Sequence, residues 1–115
     1  MSDCIFCRIV AKEIPAKEVA RSEHAVAFHD LNPQAPTHVL VVPARHLVNA
    51  AAADSEAGER VLGGLLRFAV AVAGQLGLAE SGYRLVLNNG RDGGQSVDHL
   101  HVHLLGGRRM AWPPG

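Results

Sequence analysis

Two kinds of hydrophobic periodicity run along this chain and predict its secondary structure. Between residues 55 and 77, apolar side chains recur at intervals of three and four, as they do on one face of a helix. The apolar positions are Val61, Leu62, Leu65, Leu66, Ala69, Val72, Ala73 and Leu76. Asp54 or Ser55 can cap the start of this helix, and Gly77 can end it. A second, short helix is expected at residues 5–11.

Shorter apolar runs predict the strands. They cover residues 18–22, 25–29, 38–43, 83–88 and 98–105. The run at 38–43 is continuously apolar and rich in β-branched residues, which is typical of a central strand. Together the elements predict an α+β fold, with a mostly antiparallel sheet of about five strands, one long helix and a short N-terminal helix.

Composition narrows the possible functions. A length of 115 residues predicts one domain spanning 1–115. Eleven basic and eleven acidic side chains cancel, which argues against nucleic-acid binding and against a polybasic membrane anchor. No apolar run is long enough for a transmembrane helix, and the start, Met1–Cys4, lacks the pattern of a signal peptide. With only two cysteines, a reducing cytoplasmic location is expected.

Histidine is the unusual residue. There are seven, and three of them, His99, His101 and His103, fall within five residues. In a strand these three share one face, while the opposite face packs on the core and carries Leu100, Val102 and Leu104. His99 and His103 would then stand roughly 13 Å apart, too far for one metal ion to bind all three rings. We therefore expect the three histidines to serve two separate functions: His101 and His103 flank a small anion, and His99 serves a neighbouring group. A polar strand face without chemistry is the alternative.

A glycine-bearing loop, residues 88–96, leads into the histidine strand. Gly93 and Gly94 allow positive φ and close backbone approach, so consecutive amides there could form an anion nest, with the Ser96 hydroxyl beside it. A tight turn between two strands is the plainer interpretation. Imidazole has a pKa of about 6.5 and is mostly neutral at pH 7, so it can attack phosphorus and form a phospho-histidine. The sequence has no P-loop and no acidic two-metal cluster, which favours a metal-independent nucleophile.

The segment His99–Leu105 matches the histidine triad pattern H-φ-H-φ-H-φ-φ, where φ is apolar. With GGQS at 93–96 and WPPG at 112–115, it resembles the nucleotide-binding protein branch of the histidine triad (HIT) superfamily. Further matching segments are Ile5–Ile9, Glu13–Lys17, Ala27–Asp30, Pro33–His38 and Asp92–Val97. The resemblance implies a HIT-like fold whose sheet continues across a homodimer, with the tail 108–115 at the dimer and active-site edge.

The resemblance also implies an activity, the hydrolysis of nucleoside 5′-phosphoramidates such as adenosine 5′-monophosphoramidate through a nucleotidyl intermediate on His101. The implied catalytic residues are His101, His103, Ser96 and His38. The implied nucleotide-binding residues are Ile14, Phe28, Asp30, Leu31, Asn88, Gly94, Gln95, Ser96, His101, His103 and Trp112. Asp30 would accept hydrogen bonds from the ribose hydroxyls, and Trp112 would reach the partner subunit's site. Without the resemblance, Phe28, Leu31 and Ile14 would be interpreted as residues of the hydrophobic core, and Asp30 as a turn residue.

A second set, Cys4, Cys7, His46 and His99, resembles the zinc ligands of many bacterial members and implies a structural Zn²⁺. No organic cofactor is expected, and catalysis is expected to need no metal. His24 and His29 receive no role. Asp98 stands where the eukaryotic members carry an aromatic residue, which bears on the substrate. Two alternatives stay open: a dinucleoside polyphosphate hydrolase of the fragile-histidine-triad branch, and a non-catalytic nucleotide-binding interaction module.

Overall fold

A computed structural model describes residues 3–115. Met1 and Ser2 lie outside the described residues, so the expectation for the segment Met1–Cys4 falls partly outside them. The elements in chain order are α1 (Ile5–Val10), β1 (Glu18–Arg21), β2 (Ala25–His29), β3 (Thr37–Pro43), a 3-10 turn (Ala50–Ala52), α2 (Glu56–Gln75), β4 (Tyr83–Val86) and β5 (Val102–Gly106). The strands form one sheet in the order β1-β2-β3-β5-β4, and every neighbouring pair is antiparallel. The α+β prediction is confirmed.

Helix α2 follows the predicted periodicity except at Leu66, which is 40% exposed. Of the two candidate caps, Ser55 is the one used, since its Oγ accepts the Gly58 N–H at 3.0 Å. The helix ends near Gly77, which adopts a φ of +78° that favours glycine. Its buried side chains include Leu65, Ala69, Val72 and Ala73. Among the described residues, no helix combines the length and apolar character needed to cross a membrane.

The two faces of the sheet have different partners. On one face, α2 packs against a cluster that includes Val39 and Val41 of β3 with Leu100, Val102 and Leu104. On the other face lies a smaller cluster, the α1-side cluster, composed of Phe6, Ile9, Val26, Phe28, Leu40 and Val42. Strand alternation places His38 and His103 on this second face, because His38 neighbours Val39 along β3 and His103 pairs with Leu40.

The histidine strand begins later than predicted. We expected a strand from residue 98, but β5 starts at Val102, and β4 likewise ends at Val86 rather than at 88. The ladder to β3 ends at the pair Val41–Val102, and Pro43 further along has no N–H with which to extend it. Instead, the Leu100 N–H donates to the Leu47 carbonyl at 2.6 Å. The alternation of faces nevertheless persists through this irregular segment.

Candidate functional site

A chain of hydrogen bonds fixes the imidazole of His103. The Gln34 N–H donates to His38 Nδ1 at 3.0 Å, so the His38 proton must sit on Nε2. His38 Nε2 lies 2.9 Å from His103 Nδ1, and the pair is satisfied when His38 donates and His103 accepts. The proton of His103 is thereby placed on Nε2, on the side of the ring away from His38. His103 then offers an N–H donor to whatever binds beside it.

Asp30 supports the same pair of histidines. Its Oδ2 lies 3.4 Å from His38 Nε2, and its Oδ1 accepts the Asn32 N–H at 2.8 Å in a local turn. Burial lowers the pKa of His38, an effect that the Asp30 charge partly opposes. Burial, with the neighbouring His101 and His38 rings, lowers the pKa of His103 to about 4. His103 is therefore neutral at pH 7.

His101 has the opposite tautomer. Its Nδ1 lies 2.7 Å from the backbone carbonyl of His99, and since a carbonyl can only accept, Nδ1 carries the proton. Nε2 is left with a lone pair. The rings of His101 and His103 are 5.0 Å apart between centroids, so a lone pair and an N–H donor stand side by side. His101 is almost fully buried, whereas His103 is half-buried.

The glycine-bearing loop is held by its own hydrogen bonds. Gly94 N–H donates to the Arg91 carbonyl and Gln95 N–H to the Gly90 carbonyl, so the expected anion nest is not available on these two amides. The Gln95 side chain is also engaged, accepting from Gly90 N–H at 2.8 Å and donating to the Val48 and Val97 carbonyls. Gly93 approaches the Asn89 backbone so closely that a Cβ would lie 2.8 Å from its oxygen.

The remaining residues implied for nucleotide binding lie in three settings. Phe28 is buried in the α1-side cluster, and Ile14 packs against that cluster. Asn88 is half-buried and Ser96 is exposed, at the two ends of the loop. Leu31 and Trp112 are 93% and 81% exposed. The Trp112 ring lies 6.0 Å from the guanidinium of Arg84 in β4, and among the described residues it makes no ring contact with a histidine.

Phe6 received no functional role from the sequence, which placed it in the short first helix and in the matching segment Ile5–Ile9. Its ring makes edge contacts with His101, at 5.2 Å between centroids, with His99 at 5.8 Å and with Phe28 at 5.5 Å. It therefore contacts two histidine groups: the group that contains His99, and the group formed by His38, His101 and His103. Its position between Cys4 and Cys7, the two residues implied as metal ligands, was the available signal in the sequence.

The second set of predicted residues also comes together. His99 Nδ1 lies 3.3 Å from Cys4 Sγ, 3.5 Å from Cys7 Sγ and 3.1 Å from His46 Nδ1, and Cys7 Sγ lies 3.3 Å from His46 Nδ1. All four donor atoms are within 4.8 Å of one another. With Zn–N bonds of about 2.0–2.1 Å and Zn–S bonds of about 2.3 Å, ligand atoms around a tetrahedral zinc would be about 3.3 to 3.8 Å apart. The four observed distances, 3.1 to 3.5 Å, lie close to this range.

The tautomer of His99 suits the same purpose. Its Nε2 donates to the Pro43 carbonyl at 3.0 Å, which leaves the Nδ1 lone pair directed at the two sulfurs. The Cys4, Cys7, His46 and His99 cluster, called the metal cluster below, can therefore hold a metal ion. This placement is consistent with the expectation that His99 serves a different function from His101 and His103.

Comparisons with known proteins show the family of this chain. The chain is 51% identical to the 14 kDa zinc-binding protein of Zea mays over 115 residues, covering 99% of this chain and 89% of that protein. It is 48% identical to Adenylylsulfatase HINT1 of Arabidopsis thaliana over 117 residues, covering 99% and 78%. The crystal structure of the HIT family hydrolase from Legionella pneumophila Philadelphia 1 matches with a TM-score of 0.94 and 45% identity, covering 98% of this chain and 100% of that chain. The HIT domain profile matches residues 11–110. The chain therefore belongs to the HIT domain family.

Proposed function

We propose that this protein hydrolyses nucleoside 5′-phosphoramidates, such as adenosine 5′-monophosphoramidate, through a covalent nucleotidyl intermediate on His101. The observation that carries the proposal is the hydrogen bond from His101 Nδ1 to the His99 carbonyl at 2.7 Å. It leaves the Nε2 lone pair available, next to an N–H donor on His103. The relatives named as a hydrolase and an adenylylsulfatase support a hydrolytic reaction at an adenylyl group.

The reaction proceeds in two steps. His101 Nε2 attacks phosphorus, the P–N bond breaks, and its electron pair leaves with the nitrogen, which takes up a proton from solvent; the proton that water loses in the second step returns to solvent. Water then attacks the nucleotidyl-histidine, loses a proton and releases the nucleoside monophosphate with neutral His101. His103 is neutral at pH 7, so it donates a hydrogen bond through Nε2 to the charged phosphoryl oxygens. We assign the Ser96 hydroxyl to the leaving nitrogen.

We assign the nucleoside to the face of the sheet that carries His38 and His103. Asp30 has lone pairs left to accept hydrogen bonds from the ribose hydroxyls, although its oxygens also serve Asn32 and His38. Phe28, which lies in the α1-side cluster, and Ile14, which packs against that cluster, are assigned as an apolar wall for a base. Asn88 is assigned to the phosphate side, whereas the Gly94–Gln95 segment, which the resemblance implies there, is left unassigned because its amides are used within the loop. These assignments rest on the family resemblance.

The protein as a whole is proposed to be a cytoplasmic homodimer of one domain, with the sheet continuing between subunits. The high exposure of Leu31 and Trp112 supports a partner subunit, because two large apolar side chains of a proposed binding site stand open in the protomer. The tail 108–115 is assigned to the dimer and active-site edge; within the protomer the guanidinium of Arg84, on the edge strand β4, donates to the Ala111 carbonyl at 2.8 Å. The metal cluster is proposed to hold a structural Zn²⁺ that takes no part in the chemistry.

Turnover of adenosine 5′-monophosphoramidate tests the proposal. The wild-type protein should release ammonia and adenosine monophosphate, and His101→Ala should lower kcat by at least about 10³-fold. His24→Ala is the matched control, since His24 is exposed and outside the site. Hydrolysis that survives His101→Ala would refute the mechanism. Faster turnover of diadenosine polyphosphates would select the alternative hydrolase, and tight nucleotide binding without turnover would select an interaction module.

A further inference from the structure

Phe6 lies where the metal cluster and His101 meet. Helix α1 begins at its N-cap residue Cys4, whose Sγ accepts the Cys7 N–H at 3.4 Å. Phe6 stands between these two cysteines in sequence and is 5% exposed. Any group that fixes both sulfurs therefore also fixes the backbone from which the Phe6 ring projects.

The Phe6 ring contacts His101 edge to face, with an interplanar angle of 82° and a centroid distance of 5.2 Å. A ring packed in this way restricts rotation of the imidazole about its χ2 angle. Rotation matters here, because turning the ring over would exchange the positions of its nitrogens and carbons. Nδ1 would lose its hydrogen bond to the His99 carbonyl, and Nε2 would lose its direction.

His99 makes the second connection between the two sites. Its imidazole Nδ1 belongs to the metal cluster, and its backbone carbonyl accepts the proton of His101 Nδ1. Phe6 also packs against the His99 ring at 5.8 Å. The backbone of His99 and the ring of Phe6 therefore hold His101 from two sides, and both are tied to the metal cluster.

We propose that Phe6 is a positioning residue for the nucleophile: it holds His101 with Nδ1 protonated and the Nε2 lone pair free, and it does so fully only when the metal cluster fixes helix α1. The inference rests on the proposed function for its catalytic consequence. Its structural consequence, the tautomer of His101 in the absence of substrate, can be measured independently of any activity.

The test compares Phe6→Leu with Ile9→Ala as a matched control, because Ile9 is buried on the same helix and in the same apolar cluster. Both variants and the wild type are loaded with Zn²⁺, and the zinc content of each is measured. The nitrogen chemical shifts of the His101 ring are then recorded by NMR at a pH well above the ordinary histidine pKa of about 6.5. A fourth sample is wild type stripped of metal by a chelator.

We expect zinc-loaded wild type and Ile9→Ala to show one tautomer, with Nδ1 protonated. Phe6→Leu, with a normal zinc content, and metal-free wild type should both show averaging between tautomers. Phe6→Leu should also lower kcat for adenosine phosphoramidate by about 30-fold, with a smaller change in KM. Phe6→Met provides a second non-aromatic variant should Phe6→Leu fold poorly, and the same result is expected.

The inference is overturned if His101 keeps a single tautomer in Phe6→Leu or Phe6→Met, or if Ile9→Ala disturbs it equally. It is also overturned if removal of the metal leaves the His101 nitrogen shifts unchanged. A change of tautomer in a protein that fails to hydrolyse the phosphoramidate would support the inference and reject the proposed function, so the two failures can be told apart.

Discussion

His99 and His101 are two residues apart, and their imidazole rings have opposite tautomers. His99 donates from Nε2 to the Pro43 carbonyl and directs its Nδ1 lone pair inward, to two sulfurs and His46. His101 donates from Nδ1 to the His99 carbonyl and keeps its lone pair on Nε2, beside His103. In each case a backbone carbonyl selects the tautomer. The role of a histidine in this protein is thus decided by which of its nitrogens meets a carbonyl.

The largest effect should come from emptying the metal cluster. With Zn²⁺ present at 1,000 times its dissociation constant, binding stabilises the fold by about 4 kcal/mol, so chelation should lower Tm by roughly 15 °C. Cys7→Ser should show the same low Tm and no response to added zinc, whereas His101→Ala should bind zinc and respond as wild type does. If the metal-free protein had the same Tm as the zinc-loaded protein, a structural role for the metal would be contradicted.

A smaller effect is expected at the other histidine group. His38→Ala removes the N–H that sets the tautomer of His103, and we expect kcat for adenosine phosphoramidate to fall about 100-fold. Zinc content should stay at the wild-type value, because no ligand of the metal cluster is altered. His29→Ala, an exposed histidine on β2, is the control. Loss of zinc from His38→Ala would show that the two groups are not separate.

The pH dependence of stability should also distinguish the groups. The pKa of His103 is about 4 in the folded protein and about 6.5 when unfolded, so the unfolded state takes up a proton first. The stability conferred by neutral His103 is complete above about pH 6.5 and is lost as the pH falls towards 4. After allowance for partial exposure, the loss is about 2 kcal/mol.

Urea unfolding at several pH values checks this expectation by comparing wild type with His103→Gln. Because both proteins carry the same metal cluster and the same carboxylates, the difference between them isolates His103. The variant should lose less stability between about pH 6.5 and 4. Parallel curves for the two proteins would contradict the lowered pKa.

The smallest effect should leave both histidine groups untouched. Ser55→Ala removes the cap of α2 on the far face of the sheet and should cost about 1 kcal/mol of unfolding free energy. Asp54→Ala, the other candidate cap, should change stability by much less. Neither change should alter zinc content or kcat, so an effect of Ser55→Ala on either would show that the sites respond to general loss of stability.

The periodicity of the sequence was a good guide to faces and a weaker guide to strand ends. Leu100, Val102 and Leu104 pack towards α2 as alternation predicts, although only Val102 and Leu104 lie within β5. The strand starts late because pairing depends on the partner strand, where Pro43 offers no N–H. Such a limit is set by a residue far away in sequence, which a local pattern does not contain.

The site shows the same contrast. The span of roughly 13 Å between His99 and His103 in an extended strand predicted that the two residues have separate roles, and the family resemblance identified the other residues beside each of them. Which nitrogen carries each proton depends on carbonyls at Pro43 and His99 and on the Gln34 amide, so only the folded chain shows it. The amides of Gly94 and Gln95 were expected to face an anion, but their loop uses them internally.

The most direct test of the central claim is to trap the covalent intermediate and locate it. Wild-type protein mixed with excess adenosine phosphoramidate and quenched within one turnover should carry an adenylyl group, and peptide mapping by mass spectrometry should place it on His101. The adduct should be absent from His101→Ala and should not occur on His99. An adduct on His103 or His99, or rapid turnover with no adduct on any histidine, would contradict the assignment of His101 as the nucleophile.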